Sequence, residues 1–425
     1  MGSIKLRLQL MMFLQYFVWG AWFVTLGVFL GAHGEGSVEV LFSDGFIGAA
    51  YGTAAIGAMV SPFFIGMIAD RFFSSEKVLA ALHFAGACIL LYLSTITDQS
   101  TFWWILVIYF LCYMPTLSLT NSLSMHHLKD PSREFPGVRV LGTIGWIAAG
   151  LFIGYLSIGT TTWPMVVAAT AQFVLAGYCL VLPHTPPNSK GESASIAKVL
   201  GLDALKLLEE RSFAIFVIGS FLIAIPLQFY YNYTPPFLAG RSEVVGEAAS
   251  FMSMGQMSEI FFMLLMPFFF IRLGVKKMLL IGILAWAIRY ALFGFSVDLS
   301  NNYYMLLIGI LLHGVCYDFF FVTGQLYVDK KADPKIRGAA QGFIAFVTLG
   351  VGAFIGAMFS AYVEIESKTG FLNMVEGEIA WRNFWLVPAL GAFLVLILFA
   401  LTFKEDGGKE EMGSSGEEPA KEGAT

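Results

Sequence analysis

Two carboxylates stand where carboxylates are costly. Asp318 lies in CYDFFFVTGQLY, between Tyr317 and the run Phe319, Phe320, Phe321. Glu259 follows Gln256 by three residues in GQMSEI, so both side chains leave one helix face. A carboxylate in an apolar run takes up or releases a proton according to its surroundings. Desolvation works against its charged form, and a nearby cation works for it. An amide beside it can hydrogen-bond a polar solute. Other polar residues share this setting. Arg139, Thr143 and Trp146 fall at i, i+4 and i+7, and Gln15, Trp19 and Trp22 repeat the spacing. Gln228 precedes Tyr230, Tyr231 and Asn232. Polar and aromatic groups on one face suit a cavity that stacks a flat ring and hydrogen-bonds its edge or an attached sugar. Arg289 reads as a structural pair or a snorkelling side chain. His313 precedes Asp318 by five residues, off its face, and is either a proton relay or a polar wall residue. His83, His126 and His127 read as loop or edge residues.

The elements that hold these residues must sit in lipid. The chain has 425 residues, is 57% hydrophobic and only 13% charged, against about 25% charged in soluble domains. Phe occurs 41 times. A water-soluble reading would leave far too much apolar surface exposed. Runs of about 18 apolar residues or more are membrane-helix candidates. Twelve occur, at 8–30, 45–68, 78–96, 102–124, 138–158, 162–182, 212–238, 247–271, 278–296, 303–327, 338–363 and 382–403. An ionisable residue inside such a span is expensive, which makes it a functional candidate by default. The seventh span contains Pro226 and the pair Pro235-Pro236, which predict a bend.

Charge sets the orientation. The N-terminus, the loops from even to odd spans and the tail carry 20 of the 25 Lys and Arg. The opposite loops carry Arg241, Lys368 and Arg382. Positive charge marks the cytoplasmic side, so both termini are expected in the cytoplasm. The segment 183–211 is then a cytoplasmic linker. The tail 404–425 holds seven acids and three lysines and is expected to be disordered. No cleavable signal peptide is expected, because the first apolar run is long and lacks a cleavage site. Cys88, Cys112, Cys179 and Cys316 read as small buried hydrophobes. No metal cluster, nucleophile–base pair or phosphate-binding glycine loop occurs at working spacing. We therefore expect no enzyme, no metal, no cofactor and no nucleic-acid partner.

The chain also repeats itself. Pro62 and Pro267 head the same PFF element, 205 positions apart. KDPSREF precedes the fifth span as ADPKIRG precedes the eleventh, and GLFIG at 150–154 answers GAFIG at 352–356. Two six-helix halves in parallel topology indicate the major facilitator architecture. The loop GMIADRFF also resembles that superfamily's loop between its second and third helices, with Gly66, Asp70 and Arg71 in place but without the usual basic pair. The expected fold is an all-α membrane protein with twelve transmembrane helices in the major facilitator fold. Its N-terminal half is 1–182 and its C-terminal half 212–403.

Six short motifs in order, FLQYFVWGAWFVTLG, YMPTLSLTNSLS, VRVLGTIGW, VLGLDAL, GQMSEIFF and CYDFF, resemble the nucleoside:proton symporter family of the major facilitator superfamily, the bacterial nucleoside permeases. The resemblance runs from the first span to the eleventh. It implies nucleoside import with a proton by alternating access, in the inner membrane of a bacterium, by a monomer in the lipid bilayer. It also implies a site built from Arg139, Thr143, Gln228, Gln256, Glu259 and Asp318. Trp146 and Tyr317 stand where family members have Phe. Tyr231 stands where they have Asn, and His313 where they have Tyr. With these departures near the substrate, the resemblance supports the mechanism better than the exact ligand. The substrate-binding set is thus Thr143, Trp146, Gln228, Gln256, Glu259 and Tyr317, and the proton-coupling set is Asp318, Glu259 and Arg139. A symporter of the same fold for a sugar or other small polar solute is the nearest alternative, and a non-transporting membrane sensor the next.

Overall fold

The computed structural model describes residues 2–34, 41–187, 202–241, 248–298, 302–333, 336–373 and 379–405. The expected segments 188–201 and 406–425 lie outside the described residues, as do the side chains of Gly66, Asp70 and Arg71. In lipid, every backbone N–H and C=O must be satisfied within the chain. The apolar runs meet this demand as helices, and among the described residues there is no strand. We number them α1 Gly2–Ala32, α2 Phe46–Arg71, α3 Ser75–Leu93, α4 Gln99–His127, α5 Pro131–Leu156, α6 Trp163–Cys179 and α7 Arg211–Ala239. After these come α8 248–273, α9 275–295, α10 Tyr303–Lys331, α11 337–368 and α12 Trp381–Thr402. The twelve expected spans are all present.

Two local features explain departures from simple rods. The helix Ala248–Phe295 is continuous by hydrogen bonding but breaks at Gly274, whose φ of 69° and ψ of 174° are not helical. A positive φ is cheap only for glycine, so this residue turns α8 into α9. Inside α10 and α11 the backbone widens to π geometry, at Tyr317–Val322 and Phe346–Gly352. Such insertions are uncommon and recur at functional sites. Of the linker, Leu202–Glu209 forms a 3-10 helix.

The outward surface is apolar, as lipid requires. Leu264 is 77% exposed, Ile271 75% and Leu401 77%. Large aromatic side chains such as Trp22, Trp286 and Trp385 fill the interior.

The repeat is visible in how the halves meet. α5 of the first half packs on α8 of the second, and α11 of the second packs on α2 of the first. This is one pairing with the halves exchanged. Each meeting falls toward the face away from the termini. Gly150 on α5 lies against Ser253 and Ala249 on α8. Gly48 on α2 lies against Ala357 and Ala361 on α11, so closely that a Cβ there would stand 2.4 Å from the Ala357 carbonyl oxygen.

A polar cluster ties the same face. Glu364 on α11 accepts from the Tyr233 hydroxyl at 2.6 Å and from the Gly45 N–H at 3.2 Å. Lys368 pairs with Glu364 at 3.0 Å and with Asp44, which lies just before α2 in the other half. A cavity of about 340 Å³ adjoins the cluster, lined also by Pro236 and Trp381.

A side chain at position 48 should keep this face from closing. Overpacking costs about 1–3 kcal/mol, and transport needs both arrangements of the halves. Gly48→Leu should therefore lower initial uptake by roughly tenfold or more at unchanged membrane abundance. A rate equal to the parent's would count against an obligatory approach of Gly48 and Ala357.

Candidate functional site

The expected site residues come from four helices, α5, α7, α8 and α10. Gln256 and Glu259 leave α8 opposite its exposed stripe of Met257, Phe261 and Leu264. Gln256 is buried, with its side-chain oxygen unpartnered among the described residues. Glu259 is 13% exposed. α10 crosses α8 at this level with little between them. A Cβ on Gly314 would stand 2.8 Å from the Glu259 backbone nitrogen. Ser258 locks the crossing, donating to the Leu311 carbonyl at 2.7 Å and accepting from the Gly314 N–H at 3.0 Å.

Asp318 sits in the π stretch of α10. The Thr323 N–H reaches back five residues to the Asp318 carbonyl, and the Thr323 hydroxyl donates to the same oxygen at 3.2 Å. The side chain is fully buried, and neither carboxylate oxygen has a hydrogen-bond partner among the described residues. Most buried polar groups are satisfied, so an orphaned carboxylate asks for an explanation. Its neighbour Tyr317 is half-buried and stacks toward Phe321, with centroids 5.5 Å apart.

From the first half, α5 brings Arg139, Thr143 and Trp146. The Arg139 guanidinium lies 4.1 Å over the Tyr16 ring of α1, a cation–π contact. Trp146 meets Trp19 edge to face at 5.4 Å. Thr143 is buried beside them. On α7, Gln228 is half-buried and touches the close approach of Gly356. Glu259 is the carboxylate within electrostatic reach of both Arg139 and Asp318. In this arrangement the Arg139 guanidinium rests on Tyr16.

Several expectations need correction. Gln15 and Trp22 do not share a cavity face with Trp19. Gln15 donates to Thr116 of α4 at 2.8 Å, and Trp22 is buried against Tyr109 and Phe110. The face that meets Arg139 and Trp146 is Tyr16, Trp19 and Phe23, one residue around the helix. Asn232 donates to Ser360 of α11 at 3.1 Å and is spent on packing. His83 is fully buried within α3, not at an edge, and lies near Tyr113. Cys88 is exposed. Arg289 does not snorkel. It is fully buried, donates to the carbonyls of Gly309 at 2.8 Å and Ile310 at 3.3 Å, and covers the Tyr230 ring at 3.9 Å. Tyr16 was not singled out in the sequence, and a helical wheel shifted by one residue on α1 finds it.

Known proteins resemble the chain along its length. A family profile described as "Nucleoside H+ symporter" matches residues 1–407. YegT of Escherichia coli (strain K12) is 42% identical over 409 residues, covering 94% of this chain and 93% of that protein. Nucleoside permease NupG of the same strain is 31% identical, covering 95% and 96%. A crystal structure of NupG superposes with a TM-score of 0.85 over 94% of this chain and 100% of that one. The NupG match carries the twelve-helix major facilitator fold.

The site itself yields a stability contrast. Asp318→Asn replaces a buried carboxyl that has no hydrogen-bond partner to lose among the described residues, so the purified variant should melt no lower than the parent. Glu364→Ala strips an acceptor from Tyr233, Gly45 and Lys368, and hydrogen bonds to charged groups contribute about 1.5–3 kcal/mol each. It should melt several degrees lower. Thermal unfolding in detergent would reveal the opposite order if Asp318 had a hidden structural partner.

Proposed function

The chain belongs to the nucleoside H+ symporter family and is a multi-pass membrane transporter that imports nucleosides with protons, and we propose that Asp318 and Glu259 divide that task. Membership does not favour the sugar symporter or the sensor. One observation carries the division. Asp318 is sealed from solvent with both oxygens unpartnered among the described residues, whereas Glu259 is partly open, 3.7 Å from His313 Nε2.

An uncompensated carboxylate in an apolar wall changes charge when its surroundings change. That is what a proton carrier needs. Asp318 takes the proton, and Glu259 accepts a hydrogen bond from a ribose hydroxyl. The base stacks on Trp146 and Tyr317. Thr143, Gln228 and Gln256 bond its edge or the sugar. Arg139 approaches the carboxylates as the halves 1–182 and 212–403 rock about the midplane, and leaves them as they return. The close contacts at Gly48, Gly150 and the Lys368 cluster support reading this arrangement as open toward the termini. The carrier works as a monomer, with both termini and the linker 183–211 on the cytoplasmic side of the inner membrane.

Two experiments test this reading. A phosphatase fused after Thr402 should be inactive. Activity outside the cytoplasm would reverse the orientation. Asp318→Asn should lose gradient-driven accumulation of labelled nucleoside yet keep exchange across the membrane. Glu259→Gln should weaken binding instead. If Asp318→Asn still accumulates substrate and Glu259→Gln does not, the roles are swapped.

A further inference from the structure

The division of labour above leaves His313 without a part. It is 2% exposed. Its ring stacks on Tyr230, with centroids 5.2 Å apart and planes at 23°, and on Tyr317 at 6.0 Å and 22°. The Arg289 guanidinium lies over the same Tyr230 ring and is itself pinned to two carbonyls of α10. The backbone is held as firmly. A Cβ on Gly255 would stand 3.1 Å from the His313 Cβ, and Ser258 joins the two helices one turn away. The imidazole therefore has little freedom to turn.

Its nitrogens are not equivalent. Nδ1 has no hydrogen-bond partner among the described residues. Nε2 faces Glu259 Oε2 at 3.7 Å. That is slightly long for a hydrogen bond, and polar contacts in a ligand-free site often tighten only when the ligand binds. A neutral imidazole has one N–H to give. The ring is fixed and the carboxylate is on a flexible stem, so the ring directs the carboxylate and not the reverse.

Resting on the reading of Glu259 as a ligand group, we propose that His313 is a positioning residue for it. The Nε2 N–H, held by the stack of Tyr230 and Tyr317, fixes one oxygen of Glu259 and leaves the other free for the sugar hydroxyl of a nucleoside. The claim is specific to the hydrogen donor. The ring's packing alone would not produce it.

Two substitutions separate donor from ring. His313→Phe keeps an aromatic ring in the stack and removes the N–H. His313→Gln gives up the stack and returns an N–H near the place of Nε2. Uptake kinetics with labelled uridine and adenosine, normalised to membrane abundance, should show His313→Phe raising KM about fivefold, the size of one lost hydrogen bond, with little change in maximal rate. His313→Gln should restore KM to within about twofold. In a Glu259→Gln background His313→Phe should add nothing, because the two residues act through one interaction. The proposal is overturned if His313→Phe transports normally, if His313→Gln is as impaired as His313→Phe, or if the two losses add in the double variant. Glu259→Gln with an unchanged KM would refute the reading of Glu259 itself, whatever His313 does.

Discussion

Lipid offers no hydrogen bonds, and this one constraint organises the protein. A polar group at membrane depth must find a partner inside the chain or bear the full cost of going without. Many such groups here have found one. Gln15 is bonded to Thr116, Tyr290 to the Pro226 carbonyl, and Arg289 to two carbonyls and an aromatic face. Among the described residues Asp318 is the carboxylate with both oxygens buried and unpartnered. Phenylalanines follow it, and a widened turn presents it. A group so poorly served by its own half gains most from whatever arrives, whether proton, cation or the opposite half.

The meeting of the halves obeys the opposite logic. There the contacts are crowded and well satisfied. Small residues let α2 and α11, and α5 and α8, approach backbone to backbone, and a lysine shared between Asp44 and Glu364 completes the seam. Packing of this kind is all or nothing: close-packed surfaces separate as units instead of deforming gradually. A seam of rigid contacts at one face and loosely partnered charges at the centre is what a rocking mechanism requires.

Much of the fold was legible in the sequence. Span length and apolarity are set by the bilayer, and they gave twelve helices in the right places. The pairs GLFIG and GAFIG marked α5 and α11, which do occupy equivalent positions in the packing. The carboxylates were legible because charge inside an apolar run is rare. What escaped was rotation about helix axes. On α1 the choice between Gln15–Trp22 and Tyr16–Phe23 turns on one residue, about 100°, and only the neighbour across the interface decides it. Asn232 escaped for a related reason. Polarity says that a residue needs a partner, but not whether that partner is a neighbouring helix or a solute. For Arg289 the carbonyls of α10 decide between a structural role and snorkelling.

The two widened turns both lie in the second half, in α10 and α11. Their repeat counterparts in the first half, α4 and α5, are α-helical throughout their described length. The halves share a topology but not a stiffness. A turn holding one residue too many is a dislocation in an otherwise periodic rod, and bending concentrates at dislocations. One half is then the anvil and the other the spring. The dislocation of α10 is also where Asp318 is held, so that on the proposed division of labour the irregular turn and the proton carrier are the same few residues.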